Sequence, residues 1–135
     1  MNKMFLAMAA GGGLALTIAA CAPQATQSGA ALDFAENCTA CHGPAGRGNG
    51  PAAVGMTPAP SDLTVLSQDN GGVFPKSRVM GQLVGYTMGR SDTHMPVFEE
   101  LRAGPVVMYD DGSGDPVATP ARLVAMADYI QTLQQ

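Results

Sequence analysis

Five consecutive residues, Cys38-Thr39-Ala40-Cys41-His42, constrain the chain more than any other feature. Two cysteines three apart lie on one face of a helical turn, so their sulfurs can reach two points on the edge of one flat ligand. The histidine directly after the second cysteine projects its imidazole towards the centre of that ligand. This is the geometry that bonds both vinyl groups of a haem through thioethers and ligates its iron from one side. Competing chemistries fit less well. A structural zinc needs four ligands, and with Cys21 committed elsewhere only Cys38, Cys41, His42 and His94 remain. Of these, Cys41 and His42 are neighbours that do not easily close one tetrahedron. A thioredoxin-type pair needs a βαβ setting, and no strand pattern precedes Cys38. A plain disulfide leaves His42 without a role.

The rest of the composition explains why such a ligand is needed. A chain of 135 residues is one domain. Its 17 Gly and 10 Pro predict short elements joined by much loop, and aromatics are only 5% with no Trp, so few large side chains can fill a core. Such a domain is marginal on burial alone and needs a staple. A covalent porphyrin is one: a large apolar plate that cannot dissociate. The net charge of −4 excludes nucleic acid as a partner, since phosphate binding needs an excess of Lys and Arg.

Residues 1–20 read as an export signal outside the fold. Met1-Asn2-Lys3 carries one positive charge, and Met4 to Ala20 is an uncharged apolar run. Gly11-Gly12-Gly13 weakens a helix already short for a membrane span. The run ends Ala19-Ala20-Cys21, which resembles a bacterial lipobox in which Cys21 is lipidated and becomes the mature N-terminus; the alternative is an ordinary secretory signal cut nearby. Residues 21–29 read as a flexible tether, without apolar periodicity, and 30–135 as the folded domain. Lipid anchor and tether place that domain on a membrane surface in an oxidising, periplasmic compartment. Removing the signal takes away Lys3, leaving six Lys and Arg against 11 acids, a mature charge of −5.

Helices can be read along 30–135. Ala30 to Cys41 is built of helix formers, with Leu32, Phe34 and Ala35 as core candidates, and ends at His42-Gly43-Pro44. Gly43 to Gly55 is a Gly- and Pro-rich loop, and 57–62 is extended because each pre-proline residue is pushed out of the helical region. Lys76 to Gly89 carries Val79, Leu83, Val84 and Met88 at helical spacing. Arg122 to Leu133 is the clearest amphipathic segment, with Leu123, Met126, Ile130 and Leu133 in the three-four pattern and Thr119-Pro120 as a start signal. Its Met126–Tyr129 stretch is expected to pack on Ala30 and Phe34. Val-Val-Met-Tyr at 106–109 followed by Asp-Asp-Gly predicts a strand and turn, a small β-hairpin near 105–118. The acids at 110, 111 and 115 have no EF-hand spacing, so a partner-docking flap or an inert surface loop is the expectation there.

The run from Cys38 to Thr64, CTACHGPAGRGNGPAAVGMTPAPSDLT, resembles the attachment half of a class I c-type cytochrome, the monohaem kind of bacterial periplasms, and the resemblance extends over about Ala30 to Gln135. It implies an all-α cytochrome c fold, short helices wrapped around one covalent haem c, with the N- and C-terminal helices crossing near one haem edge. The hairpin region is longer than in compact members. A second axial ligand is then required, or an open iron face. In Thr93-His94-Met95-Pro96, the proline fixes the methionine backbone in a loop, and a soft thioether suits the iron. Class I members carry Met-Pro in this region, so the resemblance implies Met95, with His94 as rival; Met80 and Met88 read as core or pocket wall. The family's Gly-Pro carbonyl, which accepts from the ligating histidine, matches Gly50-Pro51, implying Pro51. Tyr86, Arg78, Arg90 and Arg47 are candidates for the haem propionates or for solvated surface. With His42 and Met95 both on the iron, no substrate site remains, and the expected role is a non-enzymatic single-electron carrier between respiratory or photosynthetic redox proteins. A haem subunit of a larger dehydrogenase or oxidase, and a sensor or peroxidase with a labile Met95, are the alternatives.

Overall fold

The computed structural model describes residues 24–85 and 95–135. The export signal, Cys21, Tyr86, Met88, Arg90 and His94 lie outside the described residues. Helix α1 spans Gln24–Asn37 and α2 spans Thr39–His42, a single turn. After 3-10 turns at Pro51–Ala53 and Gln68–Asn70 come α3 (Lys76–Leu83) and the one-turn α4 (Glu99–Arg102). A hairpin of β1 (Val106–Tyr109) and β2 (Val117–Pro120) runs directly into α5 (Ala121–Thr132). No helix among the described residues is long and apolar enough to cross a membrane.

The frame is the crossing of α1 and α5. In α1 the buried stripe is Ala30, Phe34 and Cys38, each four residues apart and 2–5% exposed, the spacing that aligns side chains along one helix face. Leu32 is off that stripe and 59% exposed, and Ala35 is exposed too. Both expected core positions are therefore corrected: they lie on α1's solvent side. α5 contributes Leu123, Met126, Ala127 and Ile130, all buried as the three-four pattern requires. The Phe34 and Tyr129 rings meet with centroids 5.3 Å apart and planes tilted by 53°, a favourable aromatic geometry at the contact expected from sequence.

Three element boundaries differ from expectation. α1 begins at Gln24, inside the segment read as tether, because Gln and Ala are good helix formers and no proline intervenes. The helix expected over 30–41 breaks at Cys38, whose φ of −112° interrupts the regular spiral. The central helix stops at Leu83, and Gly85, with φ 78°, follows its cap. No helix forms over 57–62, as the prolines dictate, and the Thr57–Pro58 peptide is cis.

The hairpin is present as two antiparallel strands pairing Val106 with Pro120 and Tyr109 with Val117. Its turn is stitched by aspartates: Asp110 accepts from the Gly112 and Gly114 amides at 2.8 and 3.0 Å, and Asp111 from the Ser113 amide at 3.1 Å. Tyr109 plugs the hairpin into the core. The C-terminus closes the molecule, with Gln134 accepting from the Ser67 amide and donating to the Leu63 carbonyl, and the Gln135 amide donating to Thr64.

Candidate functional site

The α1 stripe delivers Cys38 into the interior, and the break at this residue starts a new turn that carries Cys41 and His42. The junction is held by backbone: the Cys38 amide donates to Phe34 at 2.9 Å and the His42 amide to Cys38 at 2.8 Å. Thr39 Oγ1 also donates back to the Ala35 carbonyl at 2.7 Å. Both cysteines are free thiols, Cys38 buried and Cys41 half-buried. Burial pushes the Cys38 thiol up to about 12, with the charges of Asp33 and Cys41 adding to it. A redox-active Cys-x-x-Cys pair works by the opposite shift, towards thiolate.

His42 is oriented by its ring nitrogen Nδ1, which donates to the Ser61 carbonyl at 2.9 Å. A carbonyl can only accept, so this bond fixes the tautomer and leaves Nε2 with a free lone pair for a metal. Pro51 does not serve: it is exposed and opens a 3-10 turn. The reason is the path of the loop. The Gly50 amide donates to Cys41 at 2.9 Å, and a Cβ there would lie 2.3 Å from the Ala40 carbonyl oxygen, so Gly50 is pressed flat on the back of α2. The chain leaves past Pro51 and returns as the extended proline segment, which brings Ser61 rather than Pro51 against the histidine. Gly48 presses on the Pro60 carbonyl, and the Leu63 amide donates to Gly46 at 2.7 Å, locking that return strand in place. Asp62 adds a local turn, its Oδ1 accepting from the Thr64 amide and hydroxyl at 2.8 and 2.7 Å. Those bonds hold its carboxyl below the usual range.

These parts wall a cavity of about 730 Å³, within the range of cofactor sites. Cys38, Cys41 and His42 line one side; Met56, Pro58, Pro60, Leu63 and Leu66 come from the loop; Val79 and Leu83 from α3; Met95 and Phe98 from the segment before α4; and Ile130 from α5. Met95 is thus brought to the same space as the Cys-x-x-Cys-His turn, half-buried and packed on the core. Met80 is buried in the core and absent from the cavity lining. Arg78 lines the cavity, while Arg47 is exposed near Asp62. Among the described residues no three His, Cys, Asp or Glu side chains converge on one metal-sized point, and this holds also for the hairpin aspartates.

The donor set fits a covalently held haem: two thiols on one helical face, an imidazole with Nε2 free and a thioether, around space whose lining is mostly apolar. Sequence reasoning missed the Ser61 carbonyl, because a backbone acceptor has no residue signature; Asp62 and Thr64, two apart in the turn beside it, were the only trace. It also missed Leu66 and Phe98, since single apolar residues in loops carry no periodicity.

No curated protein and no solved structure matches this chain. The family model for cytochrome c matches residues 27–134, from within α1 through to the penultimate residue, and so takes in the Cys-x-x-Cys-His turn, the Met95 segment and α5 together. The chain therefore belongs to the cytochrome c family, a small helical fold that binds haem c covalently and serves haem-based electron transfer.

Proposed function

We propose that this protein is a monohaem, class I single-electron carrier with His42 and Met95 as axial ligands. In this reading it is exported to the periplasmic side of a bacterial membrane, anchored there by lipid on Cys21, and passes electrons between respiratory or photosynthetic proteins. The observation that carries it is the placing of Met95 on the cavity that Cys38, Cys41 and His42 line. When bound, the haem supplies an iron that gains and loses one electron. The chain supplies everything else. Cys38 and Cys41 fix the ring by thioethers, which removes dissociation as a failure mode. Ser61 holds the His42 ring in one orientation and one tautomer. The Met95 thioether would be the second protein ligand that holds the iron, and a thioether ligand favours the reduced state. Leu63, Leu66, Leu83 and Phe98 exclude water, and a low-dielectric surround disfavours the extra positive charge of the oxidised state. With His42 and Met95 both holding the iron, the group would supply one-electron transfer with little rearrangement of the protein, and no position would be left for a substrate. A lipid tether confines the carrier to two dimensions and raises its effective concentration near membrane partners.

The test is the full chain matured in a host with haem-attachment machinery. Mass spectrometry is expected to show one haem joined to Cys38 and Cys41, and diacylglycerol on Cys21. Visible spectra of both redox states are expected to show a methionine-to-iron charge-transfer band that vanishes in Met95→Ala, and no carbon monoxide binding at neutral pH in the parent. Colourless protein with free thiols at 38 and 41 overturns the reading. Ready carbon monoxide binding would instead make it a sensor or peroxidase. One observation favours a second arrangement, a haem subunit of a larger complex: the hairpin leaves Val106, Met108 and Val117 at 58–68% exposure. Co-purification of a partner in fixed stoichiometry, lost on Met108→Lys, would decide for it.

A further inference from the structure

The two edges of the hairpin are not alike. The Ala121 amide donates to the Pro105 carbonyl at 2.9 Å, and an antiparallel ladder alternates hydrogen-bonded with non-bonded pairs. Val106 stands opposite Pro120 and Tyr109 opposite Val117, so the bonded pairs of the ladder are Val107 with Thr119 and Tyr109 with Val117. Val106 and Met108 therefore turn their amides and carbonyls away from β2. On the other strand the outward position is Ala118, with Pro116 and Pro120 on either side of it. Proline has no N–H and blunts a sheet edge against further pairing, so the β2 edge is closed at both ends. The β1 edge is open. No proline lies within Val106–Tyr109, and among the described residues the outward groups of Val106 and Met108 have no hydrogen-bond partner. Side chains alternate along a strand, so both residues also share the outer face, 58% and 68% exposed, while Tyr109 points inward and is buried. Beyond one end of this edge stand Asp110 and Asp111; before the other stands Arg102, also exposed. An edge that is apolar in the middle, acidic at one end and basic at the other is complementary to itself when turned end for end.

We infer that the β1 edge is a docking surface for a second copy of this chain, the two hairpins joining about a two-fold axis into one four-stranded sheet. Such a contact is isologous, the same strand on both sides. The register that uses every outward group of β1 sets Val106 opposite Met108 of the second copy, and the reverse, with Val107 facing its own counterpart on the axis. Each Val106–Met108 pair exchanges both backbone bonds and packs two exposed apolar side chains together on one face. The same register sets Asp110 and Asp111 opposite Gly104 and Ala103 of the second copy, beside its Arg102. A four-residue edge makes an interface smaller than the ~1,200 Å² at which stable complexes begin, so the pair is reversible and forms with rising concentration. The inference rests on the hairpin alone and goes beyond the electron-carrier reading, whichever group fills the cavity.

The experiment is disulfide trapping of the matured, haem-loaded full chain under a mild oxidant, read on non-reducing gels. Val107→Cys puts a thiol on the axis, where facing residues of a non-bonded antiparallel pair have Cα atoms about 4.5 Å apart, within reach of a disulfide. Ala118→Cys puts one on the blunted β2 edge, which is exposed as well. Val107→Cys is expected to give a linked dimer at least about tenfold faster than Ala118→Cys, because paired chains hold their thiols at high effective concentration and colliding chains do not. Adding Met108→Pro removes one outward N–H without touching a bond to β2, and is expected to bring the rate down to that of Ala118→Cys. Met108→Lys, a milder change, is expected to slow it too, with the circular dichroism and melting temperature of the parent. Equal rates at 107 and 118 overturn the inference. So does a Val107→Cys rate that Met108→Pro and Met108→Lys both leave unchanged. A thiol at 107 that links instead to a different protein, co-purifying in fixed ratio, overturns the second copy as the occupant of this edge. Cross-linking in the parent itself would come from Cys21, Cys38 or Cys41 left unmodified. That counts against the lipid and haem reading, and the excess rate at 107 over the parent still decides for or against the edge.

Discussion

Gly50 and Tyr109 are two residues at which the fold accepts an unusual local situation, and each can be tested by the smallest possible change. A methyl group on Gly50 would fall 2.3 Å from the Ala40 carbonyl oxygen and 2.5 Å from that of Thr39. Both are backbone atoms of the attachment turn, with no flexible side chain to give way. Gly50→Ala is therefore expected to cost about 2–3 kcal/mol, the upper range for overpacking, and to lower the yield of haem-loaded protein, read by melting temperature and by absorbance per chain. Tyr109 presents the opposite case, a buried hydroxyl with no hydrogen-bond partner among the described residues. Removing an unsatisfied buried hydroxyl is favourable, so Tyr109→Phe is expected to raise stability by about 1 kcal/mol. Burial, with the negative charges of Asp128, Asp111 and Asp110 adding to it, raises the Tyr109 pKa above its ordinary 10.0. The unfolded chain then loses this proton first as pH rises. The contribution is complete below pH 10.0 and fades above it as the folded group titrates. Denaturant titrations at rising pH are expected to show this alkaline loss in the parent and less of it in Tyr109→Phe. At this scale the sequence singled out Cys38, Cys41, His42 and Met95 by their side-chain chemistry, and the four line one cavity. It was silent where the actor is a main-chain atom, as at Ser61, and there the Gly-Pro resemblance pointed to Pro51 instead.

Among the elements, α5 and the hairpin were legible because each carries its own periodicity, three-four in 123–130 and strand propensity at 106–109. α1 was legible only in part. Its core stripe is Ala30, Phe34 and Cys38, two of them small, so the large Leu32 drew attention to a face that is in fact solvated. Its start at Gln24 carried no charge signal: no acidic residue stands in the first turn. Its break at Cys38 sits where the attachment turn begins, a turn that packs against Gly50. The ion pair of Asp33 and Arg122, 89 residues apart, likewise leaves no local pattern. The α1–α5 crossing depends most on Phe34, fully buried and in tilted ring contact with Tyr129. Phe34→Ala is expected to cost about 3–5 kcal/mol, the range for truncating a buried aromatic, measured by denaturant melts of the loaded protein. Met108, on the outer side of the hairpin and 68% exposed, marks the other extreme. Met108→Lys is expected to stay within about 0.5 kcal/mol of the parent, as surface changes do.

The whole molecule is a shell of short elements around apolar-lined space, and that space decides how it can be stable. Apolar-lined space of about 730 Å³ leaves the surrounding side chains without packing partners, and lost packing in a core is destabilising. Whatever occupies the space is therefore core and not cargo, which returns to the scarcity of aromatics: with 5% Phe and Tyr and no Trp, the chain does not fill its own interior. In the proposed reading, covalent attachment at Cys38 and Cys41 would make the filling permanent. It would also tie the attachment turn to α3, the Met95 segment and α5, which line the same space. Cys38→Ser with Cys41→Ser, which cannot form the thioethers, is accordingly expected to lose cooperative folding and not merely a few degrees of melting temperature. Far-ultraviolet circular dichroism would retain much of the helical signal, while near-ultraviolet dichroism and a calorimetric transition would be lost, the pattern of a chain whose elements persist without fixed packing. A sharp transition in that double variant, at a temperature near the parent's, would mean that the helices pack on one another well enough alone, and that the cavity is a pocket in a finished protein.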